Sequence, residues 1–508
     1  MSQLKKGAIL NYTTIILTNV VGLLLTPFII RQLGDSEFGL YTMIGSFVGY
    51  IAVLDFGLSD AVVRFVAKYR AEKDKKGEEN FLANTMLIYL VISTLVVIVG
   101  TVFYLNMDSV FQNSLTANEL VQAKIMFAIL VFNLAISLPA GSFTGICFGY
   151  EQFAFPKSAK IIRYISRSVL VVALLLLGGK AIAMVILDTV LNIILDAVLI
   201  WYVFKRLGVK IKLHQYNFKL VKNIFSYSLW IFVFVIVSQF QWKVGQMVLG
   251  VVANTTVVAV FAVGVMLGTY YGAFSTAISE VFLPRATQMT VANATPEELT
   301  NMMIRIGRIS FITLMLVLGG FVLYGSQFVS LWVGDNYHDA WIIASLIMLA
   351  YTVPLVQGFA NSILQAKNKL AFKALSYLLF LILGTAFGAF LAKDYGGVGM
   401  IVGTVTGWVI VQNIMNVYYY KVLKINILRF FKELLSKTLI VFLTTLVIGL
   451  AVNLIPGNGW VNFVFKIVLY AIVYCVLMFK FGLIEQEKEL FLSNLKPVYN
   501  RFLHIKNK

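Results

Sequence analysis

Charge is what this 508-residue chain has least of: Asp, Glu, Lys and Arg together make up 13% of it, about half their share in a soluble globular protein. Set against 60% hydrophobic residues and a mean hydropathy of +0.87, that shortfall excludes a soluble enzyme. Cysteine is nearly missing as well. Cys147 and Cys475 both lie in apolar stretches, so neither a disulfide framework nor a four-ligand zinc site can be built. The histidines, His214, His338 and His504, are far apart and show no ligand spacing. No G-x-x-x-x-G-K-[ST] loop and no H-E-x-x-H motif occurs, which excludes ATP hydrolysis by this chain and zinc-protease chemistry. No cofactor and no enzymatic activity are expected.

What the chain does have is apolar runs of membrane-spanning length, about 20 residues each. Fourteen spans are expected, at 8–30, 38–57, 81–104, 119–148, 159–177, 181–204, 224–247, 256–281, 309–330, 340–365, 371–392, 396–420, 438–455 and 461–482. The first is too long for a cleaved signal peptide and carries Asn11 and Asn19. The fold class is therefore all-α, a polytopic membrane protein.

The net charge of +18 then reads as topology. Of 41 Lys and Arg residues, thirty-five fall in the termini and the loops after even-numbered spans, with 149–167 counted as one such loop. Only Arg31, Lys180 and Lys393 fall in the loops after odd-numbered spans, and Lys124, Lys243 and Lys466 lie within spans. The split places both termini in the cytoplasm and excludes nucleic acid as the reason for the basic balance.

Weak anchors recur at nearly one offset. Leu33-Gly34 returns as Leu249-Gly250, Gly45 and Gly49 as Gly264 and Gly268, Pro139 as Pro354, and Phe153-Ala154-Phe155 as Leu370-Ala371-Phe372. Together they suggest two parallel repeats. The expected organisation is an N-terminal lobe over 1–223, a C-terminal lobe over 224–437, two appended spans over 438–482 and a cytoplasmic tail over 483–508. Glycine at every fourth residue in Gly141-Gly145-Gly149, Gly264-Gly268-Gly272 and Gly399-Gly403-Gly407 marks faces for close helix packing.

Polar residues inside spans are expensive, so each is a candidate for the transport path. Asp188, Asn192 and Asp196 make one stripe in the sixth span, the place where a coupled ion would act. Gln239, Lys243 and Gln246 mark a second stripe in the seventh span, and Asn11, Thr14 and Thr18 a softer one in the first, where Asn19 is a further path candidate. Arg31, Arg64, Lys243 and Arg285 are the cation candidates for the path. Asp60 with Arg64, and Glu280 with Arg285, occupy matching ends of spans two and eight, which makes Asp60 and Glu280 gate candidates. Lys124 and Lys466 are expected to snorkel toward the interface.

Residues 31–69, RQLGDSEFGLYTMIGSFVGYIAVLDFGLSDAVVRFVAKY, carry a resemblance. Arg31, Leu33-Gly34, Glu37, Phe38-Gly39-Leu40-Tyr41, Leu54-Asp55-Phe56-Gly57-Leu58 and Arg64 resemble the opening signature of bacterial polysaccharide flippases, the Wzx-like branch of the multidrug/oligosaccharidyl-lipid/polysaccharide exporter superfamily. The likeness is specific there and architectural elsewhere. It implies a carrier in the bacterial plasma membrane that moves an undecaprenyl-diphosphate-linked oligosaccharide to the outer leaflet by alternating access. Its implied partners are that lipid-linked oligosaccharide, membrane lipids and other polysaccharide assembly proteins. A peptidoglycan-precursor flippase, a drug or cation antiporter of the same superfamily, and a non-transporting scaffold are the alternatives.

Overall fold

The structure, a computed structural model, describes residues 3–216, 218–279, 283–367 and 369–489. Among these residues every regular element is helical. In chain order they are α1 (Gln3–Leu33), α2 (Asp35–Ile51), α3 (Leu58–Ala71), α4 (Lys75–Phe111), α5 (Ala117–Gly149), α6 (Ala154–Leu176), α7 (Ala181–Trp201), α8 (Phe218–Trp242) and α9 (Val244–Val252). They continue as α10 (Thr255–Ser279), α11 (Leu283–Val291), α12 (Pro296–Val333), α13 (His338–Val356), α14 (Gly358–Ala366), α15 (Ala371–Leu423), α16 (Ile427–Leu435), α17 (Thr438–Asn453) and α18 (Trp460–Leu477). An all-helical answer follows from the solvent: in hydrocarbon each peptide group must be bonded within its own segment.

Ten described helices are long and apolar enough to cross a membrane, or twelve if each of two bent pairs forms one span. The expected number was fourteen. Two helices bear on the difference. The 53-residue α15 turns sharply at Gly396, whose φ of 52° and ψ of −133° are open to glycine; Gly384 and Gly388 before the turn lie against Gly403, Gly407 and Met400 after it. The 23-residue α6 carries Lys157, Lys160, Arg163 and Arg167. The expected span 159–177 already covered Lys160, Arg163 and Arg167, and the helix extends back to include Lys157 as well.

The chain divides into two compact units: residues up to Met266 together with Ala371–Val411, and Leu267–Leu370 together with the chain from Gln412. In the first unit, the family-like segment breaks the second span. A 3₁₀ turn over Ala52–Asp55 ends at Phe56 (φ 52°) and Gly57 (φ 70°), both left-handed, before α3 begins. Asp55 accepts a hydrogen bond from Tyr89 at 3.1 Å, which holds the break. The Gly141-Gly145-Gly149 face of α5 lies on Ser59, Val62 and Val66 of α3, the backbone approach that small residues allow. At the other end of α2, Gly39 lies directly against the Thr255 carbonyl. Beside it Glu119, in the capping box of α5, accepts hydrogen bonds from Ser36 at 2.5 Å and Thr255 at 2.8 Å.

The second unit is organised around a buried arginine. Arg308 on α12 and Glu487 are 4% and 6% exposed and form a two-pronged ion pair at 2.7 and 3.1 Å. The guanidinium also donates to the carbonyls of Glu433 at 2.6 Å and Gly482 at 3.0 Å. One side chain thus ties α12, α16 and the segment after α18 together. Removing one partner of such a pair leaves an uncompensated buried charge, at a cost of about 3–5 kcal/mol. Glu487→Gln should therefore lower the apparent melting midpoint in detergent markedly; a wild-type melt would show that the pair holds nothing.

One expectation about lysines is corrected by packing, and the other gains a partner. Lys466 does not snorkel: it is 5% exposed and donates to the Asn453 carbonyl and side chain, both at 3.3 Å. Lys124 is paired with Asp108 at 2.5 Å. Of the repeat anchors, Pro139 and Pro354 both lie inside helices, and Ala154 and Ala371 both open one. Gly34 and Gly250 do not match: the first has φ 81° between α1 and α2, while the second is inside α9, against Met43.

Candidate functional site

The site grows from the sequence of α6. Lys157, Lys160, Arg163 and Arg167 recur at steps of three and four residues, which puts four cations on one helical face. The opposite face is apolar and open: Ile162, Ile165 and Val169 are 64%, 46% and 64% exposed, as lipid-facing residues are.

Arg167 is the best-bonded member. Its Nε and Nη2 donate to the two Asp188 carboxylate oxygens at 2.5 and 2.9 Å, the paired geometry that makes arginine–carboxylate contacts strong. Nη2 also donates to the Tyr41 hydroxyl at 3.2 Å. Arg163 stands one turn earlier, 4.0 Å from Asp188, and its buried Nε has no hydrogen-bond partner among the described residues. Lys160 is exposed, and both it and Arg163 are within electrostatic reach of Asp196. Lys157 donates to Asn11 at 3.4 Å, and Tyr164 donates to the Thr18 carbonyl at 3.1 Å, which ties α6 to α1.

The α7 stripe faces this cluster. Asp188 pairs with Arg167, while Asp196 accepts from Ser137 at 3.1 Å and Asn192 donates to Asn133 at 3.4 Å, both on α5. Three cations thus meet two carboxylates, with Lys157 on the same helical face and hydroxyls and amides around them. Such a face can hold a polyanion by charge-assisted hydrogen bonds and a sugar by neutral ones.

Of the residues expected from sequence, Asp188, Asn192, Asp196 and Asn11 come together here. Asn19 is half-buried on α1. The others lie elsewhere. Arg31 is exposed in the last turn of α1, and Asp60 and Arg64 are exposed one turn apart on α3. Gln239 on α8 has a buried Oε1 without a hydrogen-bond partner among the described residues. Lys243 is exposed at the 49° bend between α8 and α9. The Arg285 side chain and all of Glu280 lie outside the described residues.

Sequence reasoning missed Lys157, Lys160, Arg163, Arg167, Tyr41 and Tyr164. The signal was the three–four spacing, masked because the same cations served as loop charge.

Residues 4–290, which contain this whole cluster, match the family described as Polysaccharide biosynthesis protein. The chain belongs to that family. It is 24% identical over 361 residues to the membrane protein EpsK of Bacillus subtilis (strain 168), covering 67% of this chain and 69% of EpsK. It is 22% identical over 383 residues to a Shigella flexneri protein named as an O-antigen transporter, covering 73% and 87%. In fold it is similar to the lipid II flippase MurJ in an inward closed conformation, with a TM-score of 0.71 at 15% identity over 93% of this chain and 97% of that one. It is also similar to an inward-facing multidrug transporter of the MOP superfamily, with a TM-score of 0.58 at 13% identity over 79% and 97%. This member of the polysaccharide biosynthesis family shares its fold with those two membrane proteins, and ten to twelve of its described helices are long and apolar enough to cross a membrane.

Proposed function

We propose that this transporter moves a diphosphate-linked lipid oligosaccharide from the inner to the outer leaflet of a bacterial plasma membrane by alternating access. The observation that carries the reading is the cation excess on α6: among the described residues Arg163 and Arg167 reach Asp188, and Lys160 and Arg163 reach Asp196, so three cations of one helical face share two carboxylates. Unbalanced charge within a membrane lobe is costly to maintain and is kept where an opposite charge must pass. A diphosphate head supplies that charge. Outward movement of such an anion is also helped by an inside-negative potential, about 2.3 kcal/mol per charge per 100 mV.

Two residues test the reading cleanly, because no hydrogen bond ties them to the described residues. Lys160→Gln combined with Arg163→Gln should leave the melting midpoint near wild type and lower flux of a fluorescent lipid-linked oligosaccharide in proteoliposomes by about tenfold or more, two charge-assisted contacts being lost. Unchanged flux would remove the cation face from the path. A parallel arm with a peptidoglycan precursor separates the two diphosphate-linked cargoes; preference for the precursor would replace the oligosaccharide reading.

The orientation in this proposal puts both termini and the segments near Lys73, Lys212 and Lys432 in the cytoplasm, on the remaining loop cations. Single cysteines there should resist an impermeant thiol reagent in intact cells. Labelling at Lys73 or Lys212 would invert the topology.

A further inference from the structure

A cavity of about 1040 Å³ lies in the second unit, far in sequence from the α6 face. Its lining includes Arg305, Arg308, Ile309, Ser436, Lys437 and Ile484. Those positions share a depth. The apolar stretch of the 38-residue α12 begins where Arg308 and Ile309 stand. Helix α17 starts at Thr438, one residue after Lys437. The turn that extends α18 stops at Gly482, two residues before Ile484. Three apolar segments therefore begin or end at the cavity wall, which puts it level with the lipid head groups.

Charge within it is unevenly satisfied. The Glu487 carboxylate is taken by Arg308, Glu433 is bonded by Arg429 at 2.6 Å, and Glu298 accepts the Thr295 N–H in its capping box at 2.8 Å. Arg305 and Lys437 are exposed, and their side chains have no hydrogen bond or ion pair among the described residues. Ile304 and Ile309 add apolar wall beside them. Two open cations, an apolar wall and a position at head-group depth fit an amphiphile with a phosphate at its polar end.

We propose that this cavity binds the phosphate head group of an anionic membrane lipid, with Arg305 and Lys437 as its ligands. The cavity shares no lining residue with the α6 face, so the proposal does not rest on the identity of the cargo.

The experiment uses the full-length protein in neutral detergent and follows the melting midpoint as phosphatidylglycerol, phosphatidylcholine or inorganic phosphate is added. Phosphatidylglycerol should raise the midpoint of the wild type, and phosphatidylcholine should not. Arg305→Gln combined with Lys437→Gln should weaken the apparent phosphatidylglycerol affinity by about tenfold or more. Each single change should weaken it by a smaller step, which keeps the test decisive if the double variant folds poorly. Lys73→Gln combined with Lys212→Gln removes two exposed cations away from the cavity and should respond as wild type. An unchanged response of the Arg305 and Lys437 variants would overturn the site. An equal loss in the Lys73 and Lys212 control would reduce it to general attraction and overturn it too. Stabilisation by inorganic phosphate at the same concentration would assign the cavity to a soluble anion and overturn the lipid assignment.

Discussion

Arg167→Gln is expected to destabilise this protein by about 2–3 kcal/mol, somewhat less than the loss of a fully buried pair because the site is partly open. The Arg167 and Asp188 side chains are 18% and 16% exposed and share two hydrogen bonds. Glutamine would leave Asp188 facing only Arg163 at 4.0 Å and the Tyr41 hydroxyl at 3.4 Å. The compensating double variant, Arg167→Gln with Asp188→Asn, removes one charge of each sign and should regain most of the lost midpoint. Because the cation excess is then unchanged, it should also regain much of the flux. A double variant that melts as low as the single one would show that the pair is not what Arg167 contributes. The same protein decides whether Asp188 carries a coupled ion. Flux measured under imposed potential, proton and sodium gradients should lose its gradient dependence if that carboxylate is the carrier. A retained dependence places coupling elsewhere and leaves Asp188 as the partner of Arg167.

The second large effect is steric. Gly39→Val should cost about 3 kcal/mol or more, at the upper end for an overpacked site, and should reduce the yield of folded protein. A Cβ at Gly39 would overlap the Thr255 carbonyl, and main chain on both sides cannot swing away as a flexible side chain can. Gly45→Ala on the same helix is the control: a Cβ there meets nothing within 4 Å, and alanine favours the helix. Comparing the two melts isolates contact from helix propensity. Equal midpoints would mean that α2 and the start of α10 are not held in this contact.

Much of the architecture was legible in one dimension because hydrocarbon simplifies the problem. A 13% charged chain with repeated apolar runs can satisfy its backbone in a bilayer only as helices. The family-like segment 31–69 was legible for a related reason. Its glycines and turn residues answer local backbone demands, seen in the positive φ at Phe56 and Gly57 and in the contact at Gly39. The Asp188, Asn192 and Asp196 stripe was found from helical periodicity alone.

Tertiary structure decided which charges belong together. Lys157 to Arg167 read as loop charge although three of them fall in the expected span 159–177; packing against α1 and α7 supplies partners that the charge pattern alone does not show. Lys466 and Arg308 show the same limit. Each looks like a charge seeking water, and each is buried because a partner more than ten residues away accepts its hydrogen bonds. Sequence by itself determined that this is a helical membrane protein with a recognisable flippase-like opening, since hydropathy and backbone demands are local. Only the tertiary structure decided where its cations act, because the energy of a charge in a membrane depends on what faces it across helices.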